Sequence, residues 1–242
     1  MAPGPSSHAY QAAREHAASF PRTGRGRIVV SGRDRASYLQ GLLTNDIAAL
    51  GPGQGCYAAY LTPQGRMIAD LWVYELGDVI LLSVPLAARE TVLTRLDQFI
   101  FSEDVQLGDV TGTFAALVVV GPLAAAAVAR ALGVEAGVIQ ALGEHGSLRL
   151  TLAGEPVIVL RVTDTGEPGY EVLVATASAA PLEAALQAAG VEPIDAATAE
   201  TLRIEAGVPR FGVDMDEETI PLEAGIEPRA ISFTKGCYVG QE

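Results

Sequence analysis

Three strand-like runs joined by two tight reversals constrain the fold of this chain more than any other feature. The runs Gly55–Leu61 and Met67–Glu75 flank Thr62-Pro63-Gln64-Gly65, where proline and then glycine stand at positions suited to a tight turn. Gly77-Asp78 supplies a second reversal, and residues 79–84 return as a third strand. Before this meander, residues 27–31 read as a short β-run. Asp34 then caps a helix through Leu43 that places Tyr38, Leu39, Leu42 and Leu43 on one face. After it, Pro85 sits where a helix can start, with Leu86, Val92, Leu93, Leu96 and Ile100 as its apolar side.

A second group of elements follows. Residues 115–120 read as a strand, a helix follows Pro122, and residues 148–152 and 157–162 read as strands. Asp164-Thr165-Gly166 turns the chain into a strand over 170–174, and 181–189 is helical. Asp195 caps a further helix through Ala206 that carries Leu202 and Ile204 into the core. Antiparallel hairpins punctuated by helices predict an α+β fold of two packed subdomains, not a doubly wound sheet. The expected organisation is a flexible tail over 1–25, subdomains over 26–110 and 111–200, and a return segment over 201–242.

Composition narrows the function classes. The 242 residues carry a formal net charge of −13, which argues against a non-specific grip on nucleic acid. The basic residues gather early, six arginines standing against only Glu15 and Asp34 in the first 36 residues. Two cysteines fit a reducing, cytoplasmic setting, and the three scattered histidines make no zinc spacing, so no metal site is expected. The apolar stretch over 114–132 is interrupted by Gly121-Pro122 and Arg130, so no membrane association is expected.

Common catalytic signatures are missing: there is no dinucleotide or phosphate loop, no nucleophile elbow and no metal-binding histidine pair. The sharpest local feature is Lys235-Gly236-Cys237-Tyr238-Val239-Gly240-Gln241-Glu242. Cys237 lies between glycines, where the backbone can leave a thiol accessible. Lys235, the single lysine of the chain, is two positions away, and a nearby ammonium favours the thiolate. An ordinary half-buried cysteine in a turn has the same spacing. Cys56 reads as core, and Asp214-Met215-Asp216-Glu217-Glu218 as a solvated loop.

This terminal stretch resembles the signature of the YgfZ group of folate-binding proteins, relatives of the glycine cleavage T-protein (aminomethyltransferase). Further blocks are similar in order: Gly32-Arg33-Asp34-Arg35 with Leu43-Thr44-Asn45-Asp46, then Leu61-Thr62-Pro63-Gln64-Gly65-Arg66 with Ala69-Asp70-Leu71. Gly166-Glu167-Pro168-Gly169-Tyr170-Glu171, Leu202-Arg203-Ile204-Glu205-Ala206-Gly207 and Ile220-Pro221-Leu222-Glu223-Ala224-Gly225 complete the series.

The resemblance implies a central funnel holding tetrahydrofolate, with Asp70 as the carboxylate that assists one-carbon transfer. T-proteins commonly carry two acids in a row there, whereas Ala69 precedes Asp70 here. It implies further that Glu167, Glu171 and Arg203 belong to the pteridine-binding region, where a carboxylate can read an amide–amino edge and an arginine fork can orient it. Cys237, with Lys235 beside it, is implied as a functional thiol supporting iron–sulfur cluster assembly or repair, and tRNA modification with it. Iron–sulfur proteins or their assembly factors would be the partners. Two other readings stand beside this one: an aminomethyltransferase-like enzyme using Asp70, and a non-catalytic folate-binding scaffold. Relatives continue into a C-terminal barrel, which is expected to be absent from a sequence ending at Glu242.

Overall fold

The hairpin legible in the sequence forms as read in the computed structural model, which describes residues 7–241. The chain begins with α1 (Ser7–Glu15), β1 (Ala18–Pro21), β2 (Arg25–Ser31) and α2 (Arg35–Gln40). The meander β3 (Gly55–Leu61), β4 (Met67–Glu75) and β5 (Ile80–Pro85) follows, then α3 (Arg89–Asp97) and β6 (Gln106–Asp109). Next come β7 (Phe114–Val120), α4 (Ala124–Leu132), α5 (Ala136–Gln140), β8 (Ser147–Leu152), β9 (Glu155–Val162) and β10 (Gly169–Ala175). The last elements are α6 (Ala179–Ala188), β11 (Glu192–Pro193), α7 (Ala196–Glu205) and α8 (Glu227–Ala230). The fold is α+β, with two largely antiparallel sheets and no closed barrel among the described residues.

One compact unit takes in Gly24–Thr111 and the chain from Pro209 onward. Its five strands run in the order β3-β4-β5-β2-β6, every pair antiparallel. Gly65 supplies the left-handed residue of the first reversal, with φ of 78°, and Gly77 that of the second, with φ of 98°. One sheet face packs Tyr60, Leu71, Val73 and Leu82 against Leu39 of α2 and Val92 and Leu96 of α3. All nine residues of β4 are buried, so its second face is covered as well, and Asp70 and Trp72 lie within it. A strand buried on both faces loses the polar–apolar alternation of a half-exposed one.

The other unit takes in the chain up to Thr23 and Gly112–Val208. Its six strands run β11-β1-β7-β10-β9-β8, antiparallel except for the parallel pair β1 and β11. Val119, Val159 and Val172 pack under Val128 of α4 and Leu182 and Leu186 of α6. On the other face, Ala12 and Ala13 of α1 meet Val118, Val120, Val162 and Leu202.

Several expectations are corrected. Residues 1–6 of the anticipated tail lie outside the described residues, but 7–23 form α1 and β1, and β1 is an interior strand. The return segment 201–242 is divided: its first part completes α7 in one unit and the remainder belongs to the other. The helix after Gly32 stops at Gln40 instead of Leu43. The Asp34 carboxylate does not cap that helix; it accepts from the Asp104 amide at 2.8 Å. Asp195 does cap α7, accepting from the Thr198 amide at 2.7 Å. Leu202 is fully buried on that helix, whereas Ile204 is 61% exposed, because two positions along a helix point to different sides. No described helix is long and apolar enough to cross a membrane.

Candidate functional site

Asp70 is the most elaborately held of the expected residues. It lies on β4 opposite Ala59 of β3 and is 3% exposed. Its Oδ1 accepts from Arg25 Nη1 at 3.2 Å, and its Oδ2 accepts from the Tyr57 hydroxyl at 3.1 Å. Arg25, on β2, also donates to the Ser83 carbonyl and lays its guanidinium carbon 4.1 Å from the centre of the Trp72 ring. Tyr57 and Trp72 are cross-strand neighbours with ring centroids 6.4 Å apart. Burial, reinforced by the Asp70 charge, pushes the Tyr57 phenol well above its ordinary value, which keeps it a donor. Each carboxylate oxygen has two acceptor sites, so one per oxygen remains beyond these two bonds.

Glu167, Glu171 and Arg203 belong to the other unit. Glu171 is fully buried on β10, its Oε2 lying 3.0 Å from Arg22 Nε. The same guanidinium grips Asp164 through two nitrogens, at 2.6 and 3.2 Å. Glu167 accepts from Arg14 Nη1 at 2.6 Å, and Arg14 also pairs with Glu205. Arg203 turns its fork on Glu200, at 3.0 and 2.8 Å, and reaches the Val208 carbonyl. Gly166 sits where a Cβ would stand 3.1 Å from that of Ala206, so the turn carrying Glu167 lies against the end of α7.

The terminal motif is pinned, and Lys235 is the pin. Its ammonium donates to the carbonyls of Gln40, Leu43 and Asn45, at 2.6, 2.5 and 3.0 Å. These carbonyls follow the end of α2, where a cation is favoured. Val239 donates to Gly41 O at 3.1 Å, and Gly240 presses so close that a Cβ would stand 2.3 Å from Thr62 O. Cys237 is left exposed between these attachments. The expectation that Lys235 serves Cys237 is therefore corrected: its three donors are engaged on backbone. The sulfur it faces electrostatically is that of Cys56, which burial raises to about 12. Cys56 is only partly buried, at the border of the core. Glu242 lies outside the described residues.

Burial pushes the Lys235 ammonium down to about 8, with Asp46 and Cys56 pulling the other way. Between about 8 and the ordinary lysine value of roughly 10.4, the unfolded chain binds more protons than the folded one. The cost of the buried charge is thus present in full below pH 8 and relieved as pH rises through that window. Denaturant midpoints measured from pH 7 to 10 should show wild type gaining stability relative to Lys235→Met across it. A constant difference would contradict the burial of this charge.

A cavity of about 340 Å³ in the same unit as Asp70 is lined by Ile68, Pro85, Thr91, Arg95 and Phe211 among others. None of Asp70, Lys235 and Cys237 lines it. Asp214, Asp216 and Glu217 are exposed, and no described group of His, Cys, Asp or Glu is arranged to hold a metal ion.

Comparison with known proteins places this arrangement. The family described as the GCVT N-terminal domain matches residues 5–235. The chain belongs to the GCVT N-terminal domain family. An aminomethyltransferase of Rubrobacter xylanophilus is 35% identical over 232 residues, covering 96% of this chain and 62% of the relative. An aminomethyltransferase of Nostoc sp. is 31% identical over 246 residues, with the same two coverages of 96% and 62%. The chain thus spans about three fifths of the length of these relatives. The crystal structure of the glycine cleavage system aminomethyltransferase T from Bartonella henselae superposes with a TM-score of 0.81 at 25% identity, over 91% of this chain and 59% of that one. Within this GCVT N-terminal domain, the family match takes in Asp70, Glu167, Glu171, Arg203 and Lys235, and ends two residues before Cys237.

The residues around Asp70 were not legible as a site. Arg25 stands at the end of the segment read as a tail, and Tyr57 reads only as a strand residue. The available signal was register: once the turn at 62–65 is accepted, Tyr57 falls opposite Trp72 and Ala59 opposite Asp70, on one face.

Proposed function

We propose that this GCVT N-terminal domain binds tetrahydrofolate and serves transfer of an aminomethyl-type one-carbon unit, with Asp70 as the acid at the reacting nitrogen. The observation that carries this reading is a buried carboxylate that accepts one hydrogen bond on each oxygen, in a chain of this family. Tetrahydrofolate, when bound, supplies the nitrogens that carry the one-carbon unit. Asp70 suits an N–H donor and would offset positive charge developing there. Glu167 and Glu171 are carboxylates suited to an amide–amino edge. Arg203, already forked on Glu200, fits orientation of its surroundings better than direct contact with the cofactor.

Calorimetric titration with tetrahydrofolate should give saturable heat with wild type and with Asp70→Asn. Methylene-folate production from an aminomethyl donor should fall about 10²–10³-fold in that variant. Silence of the wild type toward tetrahydrofolate would remove the reading.

A second reading, the YgfZ-type support of iron–sulfur cluster assembly with Cys237 as its thiol, is favoured by the exposure of Cys237 on a pinned segment. Soft sulfur suits iron or an oxidised intermediate. Full restoration of cluster-dependent enzymes by Cys237→Ser in a deletion strain would end it.

A further inference from the structure

We infer that Arg25 and Tyr57 are positioning residues for Asp70: each holds one carboxylate oxygen, so that Asp70 presents its remaining acceptor sites in a single orientation to an N–H donor. For its activity readout the inference rests on the folate reading above. The geometry itself does not. Arg25 reaches Asp70 from β2, Tyr57 reaches it from β3, and the carboxylate stands on β4 between them in the chain's pairing order. A carboxylate with a free χ2 would rotate and spread its lone pairs over many directions. Two donors on opposite oxygens remove that freedom.

Arg25 is itself over-determined. Its Nη2 donates to the Ser83 carbonyl, its Nε lies 3.4 Å from the Ser83 hydroxyl, and its flat face covers Trp72 at 4.1 Å. The guanidinium plane is therefore set before it meets Asp70, as a planar fork allows and an ammonium does not. On its other side Tyr57 is flanked by Trp72 and by the Arg229 guanidinium, 5.2 Å from its ring centre.

Arg25 and Asp70 form an ion pair at 3.2 Å, so the orientation of the carboxylate is set by a charged partner before a ligand N–H reaches it.

A double-mutant cycle tests the inference. Arg25→Met and Tyr57→Phe should each lower kcat about tenfold to a hundredfold, as loss of aim does, with tetrahydrofolate KM changed less than threefold. Arg25→Lys, which keeps charge without the fork, should restore less than half of the loss. In an Asp70→Asn background the same two substitutions should cost nothing further, since they act through Asp70. Equal losses in both backgrounds, or a loss confined to KM, would overturn the inference. A wild type that binds no tetrahydrofolate removes the folate reading instead, and the cycle is then read in denaturant midpoints. Coupling of both substitutions to Asp70 there sustains only the hold on the carboxylate, and additivity ends the positioning roles.

Discussion

Asp70→Ala is expected to lower the unfolding free energy by about 3–5 kcal/mol, the usual consequence of removing one partner from a buried ion pair. Arg25 would keep the Ser83 carbonyl and the Trp72 face, but its charge would lose its counter-ion in a setting where both side chains are nearly inaccessible. Tyr57 would lose the acceptor of its hydroxyl. Asp70→Asn retains a carbonyl oxygen for one of the two donors and should cost about half as much. Urea midpoints at unchanged slope are the measurement. A loss under about 1 kcal/mol would mean that water shares the pair and that Asp70 is not held as described.

Gly32→Ala should have an effect of similar size for a different reason. The glycine has φ of 102°, and a Cβ there would stand 1.9 Å from the Asp104 carbonyl oxygen and 2.6 Å from its carbon. The obstacle is backbone, so it cannot swing away. The same approach lets the Asp34 carboxylate accept from the Asp104 amide and brings Arg33 to the Asp104 carboxylate at 2.8 Å. Displacing that contact between the segments flanking β2 and β6 adds overpacking, typically about 1–3 kcal/mol, to the backbone strain of a left-handed alanine, about 1–3 kcal/mol. Gly108→Ala, where nothing lies within 4 Å of the added carbon, is the matched control and should shift stability by under about 1 kcal/mol. Equal thermal midpoints for the two variants would refute the close packing at Gly32.

These two cases also show what the sequence does and does not carry. The hairpin Gly55–Leu61 and Met67–Glu75 is legible to the residue because its turn chemistry is local and its strands are long. α1 and β1 are not, because the buried face of α1 is alanine and β1 has only four residues ending in proline. Alanine gives almost no periodic contrast, and the short strand is made stable by its neighbours on both sides, not by its own composition. At the site, Asp70 is legible through its resemblance block, while Arg25 and Tyr57 are 45 and 13 residues away and meet it only through sheet pairing. Lys235 shows the opposite error. Closeness in sequence to Cys237 suggests partnership, whereas its side chain is drawn to backbone carbonyls almost two hundred residues earlier.

The way the chain is shared between the two units bears on how it can be made. One unit needs the stretch through Thr23 and Gly112–Val208, and the other needs Gly24–Thr111 together with the chain from Pro209 onward. Neither is a single continuous stretch of chain. The meander emerges early yet must wait for its closing piece, with the carbonyls that Lys235 will later engage still facing water, until an entire second sheet has been synthesised. Vectorial assembly therefore has to hold two half-built cores at once, and slowed translation between residues 111 and 209 prolongs the interval in which both are open to proteases and to chaperones.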